Sequence, residues 1–316
     1  MKVLANDGVS QSGIDVLTKA GFEVSTTTVA QEQLENYIKE NDISVLLVRS
    51  ATTVRKNIID NCPSLKIIGR GGVGMDNIDV EYARNKGLHV INTPAASSHS
   101  VAELVFAHFY GLARFLHNSN RDMPLEGDAN FKGLKKAYAK GIELKGKTLG
   151  VLGFGRIGQA TAKVALGAGM KVIAFDPFLS KVNLELDFFD GQKVNFEINT
   201  ISKEEVLNQS DFLTLHVPAQ KNYVIDEADF KQMKDGVIIA NAARGGVVNE
   251  IALVKAIESG KVLGAALDVF EKEPNPEIQL LMNSGLSLTP HTGAATNEAQ
   301  DRIGTELADQ IISILK

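Results

Sequence analysis

The sequence predicts an α/β protein with two doubly wound parallel sheets and a cleft between them. Three observations predict it. Short Val- and Ile-rich runs alternate with amphipathic stretches along both halves of the chain. A long, almost wholly apolar stretch separates the two series. The length, 316 residues, is about twice the roughly 150 residues typical of one domain.

The first series contains the strand-like runs KVLAN (from Lys2), FEVST (from Phe22), SVLLVRS (from Ser44), KIIGRGG (from Lys66) and HVINT (from His89). Each is bounded by Gly, Asn or Pro. Helical patterns such as SGIDVLTKAG and QEQLENYIKEN lie between them, and strands alternating with helices imply βαβ units. Ser100-Val-Ala-Glu103 has capping-box spacing and opens one long helix, VAELVFAHFYGLARFLHNS, apolar on nearly every side and therefore buried. Arg121 to Gly141 is polar and Lys-rich and reads as a loop or arm. A second series follows: TLGVLG, KVIAFD, FLTLHVP, VIIANAA, GAALDVF and LSLTPH. Ala294–Lys316 reads as one closing helix. The expected division is a discontinuous domain of 1–97 with 291–316, and a second domain of 98–290.

Apolar residues make up 44% and charged residues 22%, the balance of a folded globular protein rather than a disordered or fibrous one. A net charge of −5 supplies no basic field for a phosphate backbone, so no nucleic-acid partner is expected. The single cysteine, Cys62, has no intramolecular partner, which fits a reducing, cytoplasmic location. MKVLANDGVS is too short an apolar run for a secretory signal, and no 18-residue apolar span is present, so no membrane association is expected.

Gly153-Phe-Gly155-Arg156-Ile157-Gly158 follows the run TLGVL and opens a helical pattern, and the next strand ends in Asp176, 18 residues after the last glycine. That context turns a weak motif into a dinucleotide site of Rossmann type. Gly153 permits the tight turn, Gly155 lets backbone approach a pyrophosphate, and Gly158 brings helix and strand close. The helix N-terminus favours the phosphates. Asp176 can accept from both ribose hydroxyls and repels a 2′-phosphate, which favours NAD over NADP.

Ligands of doubly wound folds sit at the C-terminal ends of strands, and three titratable residues follow predicted strands there: Arg244, Glu273 and His291. An Arg can grip a carboxylate through two parallel bonds. A His carries protons near neutrality, and a Glu beside it fixes its tautomer. Together they supply what reduction of a 2-keto acid requires. Taken singly, Arg244 could cap a turn, Glu273 could be solvated charge and His291 could be structural. His99, His108 and His117 are nine residues apart, so successive ones face opposite sides of a helix and build no metal site. With neither HExxH nor CxxC present, no metal is expected. His216, ending FLTLHVP, either lines the cofactor cleft or packs.

The segments VRSATTV, GRGGVGMDNID, NTPAASSHSVAEL, ELKGKTLGVLGFGRIG, NAARGGVVNE, ALDVFEKEP and LTPHTGAAT occur in one order along the chain. With them the sequence resembles the D-2-hydroxyacid dehydrogenase family over nearly its whole length, most closely its phosphoglycerate-oxidising branch. The resemblance implies a flavodoxin-like substrate domain beside the Rossmann domain, and Arg244, Glu273 and His291 as the catalytic set. It implies Arg156, Ile157, Asp176, Ala242, Asp268, Gly293 and Ala294 against NAD, and Arg49, Ser50, Ala51, Gly72 and Val73 facing the substrate together with Arg244 and His291. It further implies a homodimer built on the NAD domain and a small 2-hydroxy or 2-keto acid as partner. That acid would be D-3-phosphoglycerate, with glyoxylate, hydroxypyruvate or D-lactate as alternatives. A corepressor-like NAD-sensing module is a third reading. Leu134 stands where relatives often have Trp, Val73 where they often have Thr. Lys135 and Lys136 either reach a phosphate or are solvated. Because the chain ends at Lys316, the resemblance implies no serine-binding regulatory domain.

Overall fold

The computed structural model describes residues 1–316. The chain divides into two compact units, Met1–Ser100 with Ala294–Lys316, and Val101–Gly293.

The first unit begins β1 (Lys2–Ala5), α1 (Gln11–Lys19), β2 (Glu23–Ser25), α2 (Leu34–Asn41) and β3 (Ile43–Val48). It continues α3 (Lys56–Asn61), β4 (Ile67–Arg70), α4 (Val80–Asn85) and β5 (His89–Asn92). The strands form one parallel sheet in the order β2-β1-β3-β4-β5. Every residue of the central strand β3, ISVLLV, is buried, as a strand covered on both faces demands.

Helix α5 (Ser98–Ala113) starts at the end of the first unit's long stretch and continues into the second, where α6 (Leu116–Glu126) and α7 (Phe131–Ala137) precede β6 (Thr148–Leu152), α8 (Arg156–Gly167) and β7 (Lys171–Phe175). Then come β8 (Lys181–Asp187), β9 (Lys193–Asn199), α9 (Lys203–Gln209), β10 (Phe212–Leu215), α10 (Glu227–Gln232) and β11 (Val237–Asn241). The unit closes with α11 (Glu250–Glu258), β12 (Val262–Leu267), α12 (Ile278–Leu281) and β13 (Leu286–Leu288). Its parallel sheet has the order β13-β12-β11-β10-β6-β7. The chain leaves β6 toward β7 on one side and returns through β10 on the other, so the switch point lies between β6 and β10, where this architecture places its ligand. Phe109 of α5 meets Phe212 of β10 edge-on, centroids 5.1 Å apart, inside a fully buried cluster.

The last helix, α13 (Asn297–Leu315), is capped by the Thr296 hydroxyl, which accepts from the Ala299 N–H. It belongs to the first unit and packs on α1. A Cβ on Gly13 would stand 2.8 Å from the Gly304 backbone, so a glycine at this crossing lets the helices approach.

Three features depart from the sequence expectation. First, the long helix stops at Ala113. The Ala113 carbonyl accepts from the Ile142 N–H, and Phe115 turns left-handed with φ 53°. The expected loop beyond it is α6 and α7, the latter anchored by buried Leu134. Lys135 and Lys136 occupy the last turn of α7, where cations complement the helix dipole. Second, β8 and β9 form an antiparallel hairpin that no expectation named. Its signal is present in the alternation VNLEL and VNFEI around Asp190-Gly191, where Gly191 takes φ 86°. Third, Ser98 to Ser100 go with the first unit rather than the second, and His291 to Gly293 stay with the second, where Asp268 holds the Thr292 and Gly293 N–H groups.

Candidate active site

The site begins with the turn after β6. Gly153 adopts φ 89°, and a Cβ there would stand 2.5 Å from the His216 carbonyl oxygen. A Cβ on Gly158 would stand 2.2 Å from the Gly153 carbonyl oxygen. Gly155 is different, with no atom within 4 Å of where its Cβ would be. It caps α8 without a side-chain bond, leaving first-turn N–H groups open to an anion. Arg156 is exposed at the helix start, and the Ile157 carbonyl accepts from the Thr161 hydroxyl. Asp176, just past β7, accepts the Phe154 N–H at 2.8 Å and the Phe178 N–H at 2.9 Å. A carboxylate has further lone pairs to offer.

His216 follows β10. Its Nε2 lies 3.1 Å from both the Thr161 and Thr214 hydroxyls, while Nδ1 is buried without a partner. Burial pushes its pKa down to about 3, so the ring is neutral. An open glycine turn, an uncapped helix start, a carboxylate at the next strand end and an orphaned buried ring nitrogen together suit a dinucleotide.

Arg244 is carried by a turn that Asn241 builds. The buried Asn241 amide donates to the Arg244 carbonyl at 2.9 Å and its oxygen accepts the Ala243 N–H at 3.1 Å; Ala242 lies in the same turn. Gly245 then passes close to the segment that carries Glu273, and a Cβ there would stand 1.8 Å from the Phe270 carbonyl oxygen. The same segment is clamped from α11: Glu250 Oε1 accepts the Glu271 N–H at 2.7 Å, and Glu271 Oε1 accepts the Glu250 N–H at 3.3 Å. Burial raises the pKa of Glu250.

Glu273 Oε1 accepts the Phe270 N–H at 3.0 Å, and Oε2 pairs with His291 Nδ1 at 2.9 Å. Burial alone would raise the Glu273 pKa. The His291 bond, the Phe270 N–H and the charges of His291 and Arg244 outweigh it and lower the pKa. His291 itself has φ 55°, a conformation costing a non-glycine residue on the order of 1–3 kcal/mol. Its turn is held by Asp268, which accepts from the Thr289 hydroxyl at 2.6 Å, the Thr292 N–H at 2.7 Å and the Gly293 N–H at 2.8 Å. Expected as a cofactor contact, Asp268 in this structure organises the turn.

The remaining expected residues lie in the first unit. Asp7 Oδ2 accepts the Arg49 N–H at 2.6 Å and the Thr52 N–H at 3.1 Å, shaping a loop on which Ser50 and Ala51 are exposed. Gly72 has φ 142° beside the Arg70 guanidinium, and the Val73 carbonyl accepts from Asn92. The Ala294 carbonyl accepts from Gln300.

The structure thus joins Arg244, Glu273 and His291 around one segment of the second unit, and gathers Arg49 to Ala51 with Gly72 and Val73 at strand ends of the first. The sequence expectation missed Asn241, Glu250 and Asp7. Asn241, a polar residue closing the apolar run VIIAN, was the one visible signal.

Residues 106–293 match the model of the D-isomer specific 2-hydroxyacid dehydrogenase, NAD binding domain family. The chain belongs to that family of NAD-dependent oxidoreductases. It is 44% identical to a hydroxypyruvate reductase of Thermotoga maritima over 99% of this chain and 98% of that protein. It is 42% identical to a D-3-phosphoglycerate dehydrogenase of Methanocaldococcus jannaschii, over all of this chain but 58% of that protein. A solved structure from Thermus thermophilus superposes with a TM-score of 0.86 at 28% identity, covering 100% of this chain and 97% of that one. No helix is long and apolar enough to cross a membrane.

Proposed function

We propose that the protein interconverts D-3-phosphoglycerate and 3-phosphohydroxypyruvate. The observation that carries the chemistry is the Glu273–His291 pair beside Arg244. NAD, when bound at the glycine turn, supplies the hydride acceptor or donor. The chain's own residues do the rest. Arg244 grips the substrate carboxylate with two parallel N–H bonds. Glu273 holds the His291 Nδ1 proton, so Nε2 faces the substrate oxygen. Nε2 gives a proton to the keto oxygen on reduction and takes it from the hydroxyl on oxidation. The ionised Glu273 stabilises the imidazolium.

A phosphate on the substrate is supported by the phosphoglycerate dehydrogenases among the relatives. The second reading is reduction of hydroxypyruvate itself, favoured by the end-to-end match to the Thermotoga hydroxypyruvate reductase. Rates of NADH consumption with 3-phosphohydroxypyruvate, hydroxypyruvate, glyoxylate and pyruvate separate the two. Preference for the phosphorylated acid upholds the first; preference for hydroxypyruvate upholds the second. Dinucleotide binding without turnover of any acid would point to a sensing module instead.

The enzyme acts as a homodimer joined through the NAD-binding unit. This reading is supported by exposed apolar side chains along α5 to α7, namely Tyr110, Leu116, Met123, Leu125 and Phe131. Light scattering on the purified protein tests the assembly.

A further inference from the structure

His108 is buried on α5, and its ring joins two hydroxyls that the proposed reaction does not use. Nδ1 lies 2.8 Å from Ser287 Oγ on β13, and Nε2 lies 3.1 Å from Thr289 Oγ1. The Thr289 hydroxyl donates to Asp268 Oδ1 at 2.6 Å. A hydroxyl has one proton. With that proton given to Asp268, Thr289 Oγ1 can only accept from His108, so Nε2 carries the ring proton. In the neutral ring Nδ1 is then bare and accepts from Ser287. Burial lowers the His108 pKa against the pull of Asp268, and nearby His117 lowers it further, which keeps the ring in this neutral form.

The line continues beyond Asp268. That carboxylate accepts the N–H groups of Thr292 and Gly293, the two residues directly after His291. A buried imidazole costs desolvation that an apolar residue of similar volume would not. Here both ring nitrogens are satisfied, in a line that ends at the strained turn holding His291. We propose that His108 is a positioning residue: through Thr289 and Asp268 it fixes the turn that presents His291 to Glu273 and the substrate. The proposal rests on the assignment of His291 as proton carrier.

Two substitutions separate this from packing. Gln in His108→Gln can present an N–H to Thr289; Met in His108→Met fills the space without a donor. For His108→Met the expected result is kcat about tenfold lower, with KM for the keto acid unchanged because Arg244 still grips it. The Thr292 and Gly293 amides should exchange about tenfold faster, with an unchanged thermal midpoint. His108→Gln should restore most of both. Nitrogen-15 NMR should show the His108 proton on Nε2, and Thr289→Val should remove that bias. A kcat within twofold of wild type in His108→Met overturns the proposal. So does a proton on Nδ1, or an equal loss in both variants accompanied by an equal fall in thermal midpoint. If the wild-type protein reduces no keto acid, the reading of His291 fails by itself. Amide exchange and tautomer then decide the role of His108 in holding the turn.

Discussion

The Glu273 carboxylate and the His291 imidazole lie 2.9 Å apart, with the second carboxylate oxygen held by the Phe270 N–H. The carboxylate therefore cannot rotate away from the ring without giving up a backbone bond, and one nitrogen of the imidazole is fixed as a donor. The other nitrogen is left for chemistry. This relationship sets the first prediction.

The pKa of Glu273 is lowered in the folded protein, so its ionised form stabilises the fold. The contribution is fully present above the unfolded carboxyl value of about 4.3 and is lost as the pH falls through the lower native value. Chemical unfolding of wild type and Glu273→Gln across acid pH should show a stability difference that closes on acidification. A difference that widens instead would contradict the sign of the shift.

Arg244 is predicted to act as a two-pronged grip. Arg244→Lys keeps the charge and loses the fork, so KM for the keto acid should rise about tenfold to hundredfold. Steady-state kinetics check this, and an unchanged KM would remove Arg244 from substrate binding.

The three glycines of the turn should behave differently from one another. Gly158→Ala forces a Cβ to 2.2 Å from the Gly153 carbonyl and should destabilise the fold by about 1–3 kcal/mol. Gly155→Ala meets no protein atom, so its thermal midpoint should match wild type while NADH affinity falls about tenfold. Calorimetry and fluorescence titration on the two variants read these effects separately.

Asp176 should set the cofactor preference. Asp176→Asn keeps an oxygen for the Phe154 N–H and removes the charge facing a 2′-phosphate. The ratio of kcat/KM for NADPH over NADH should then rise about tenfold. An unmoved ratio would place the ribose elsewhere.

Much of this arrangement was legible in the sequence for a physical reason. Parallel strands covered on both faces, such as β3 and β11, are written as wholly buried, largely apolar runs. A titratable residue soon after such a run stands out, as Arg244 does after β11, and His291 stands out after the short edge strand β13. The hairpin β8–β9 was missed because most of its side chains are solvated, which left only a weak alternation. Helix α6 buries no residue and contains Pro124, so no apolar period marked it. Asn241 and Glu250 in the second unit and Asp7 in the first each shape a loop of their own unit through backbone groups, and such bonds depend on tertiary placement that spacing along the chain does not encode.

The central claim is that His291, held by Glu273, moves the proton in a 2-hydroxyacid oxidoreduction. The direct measurement is single-turnover reduction of 3-phosphohydroxypyruvate and of hydroxypyruvate by NADH, in wild type and His291→Gln, with NADH affinity measured on both. The account predicts a rate about 10²- to 10⁴-fold lower in the variant with NADH affinity unchanged. A variant that reduces either acid at the wild-type rate would contradict it.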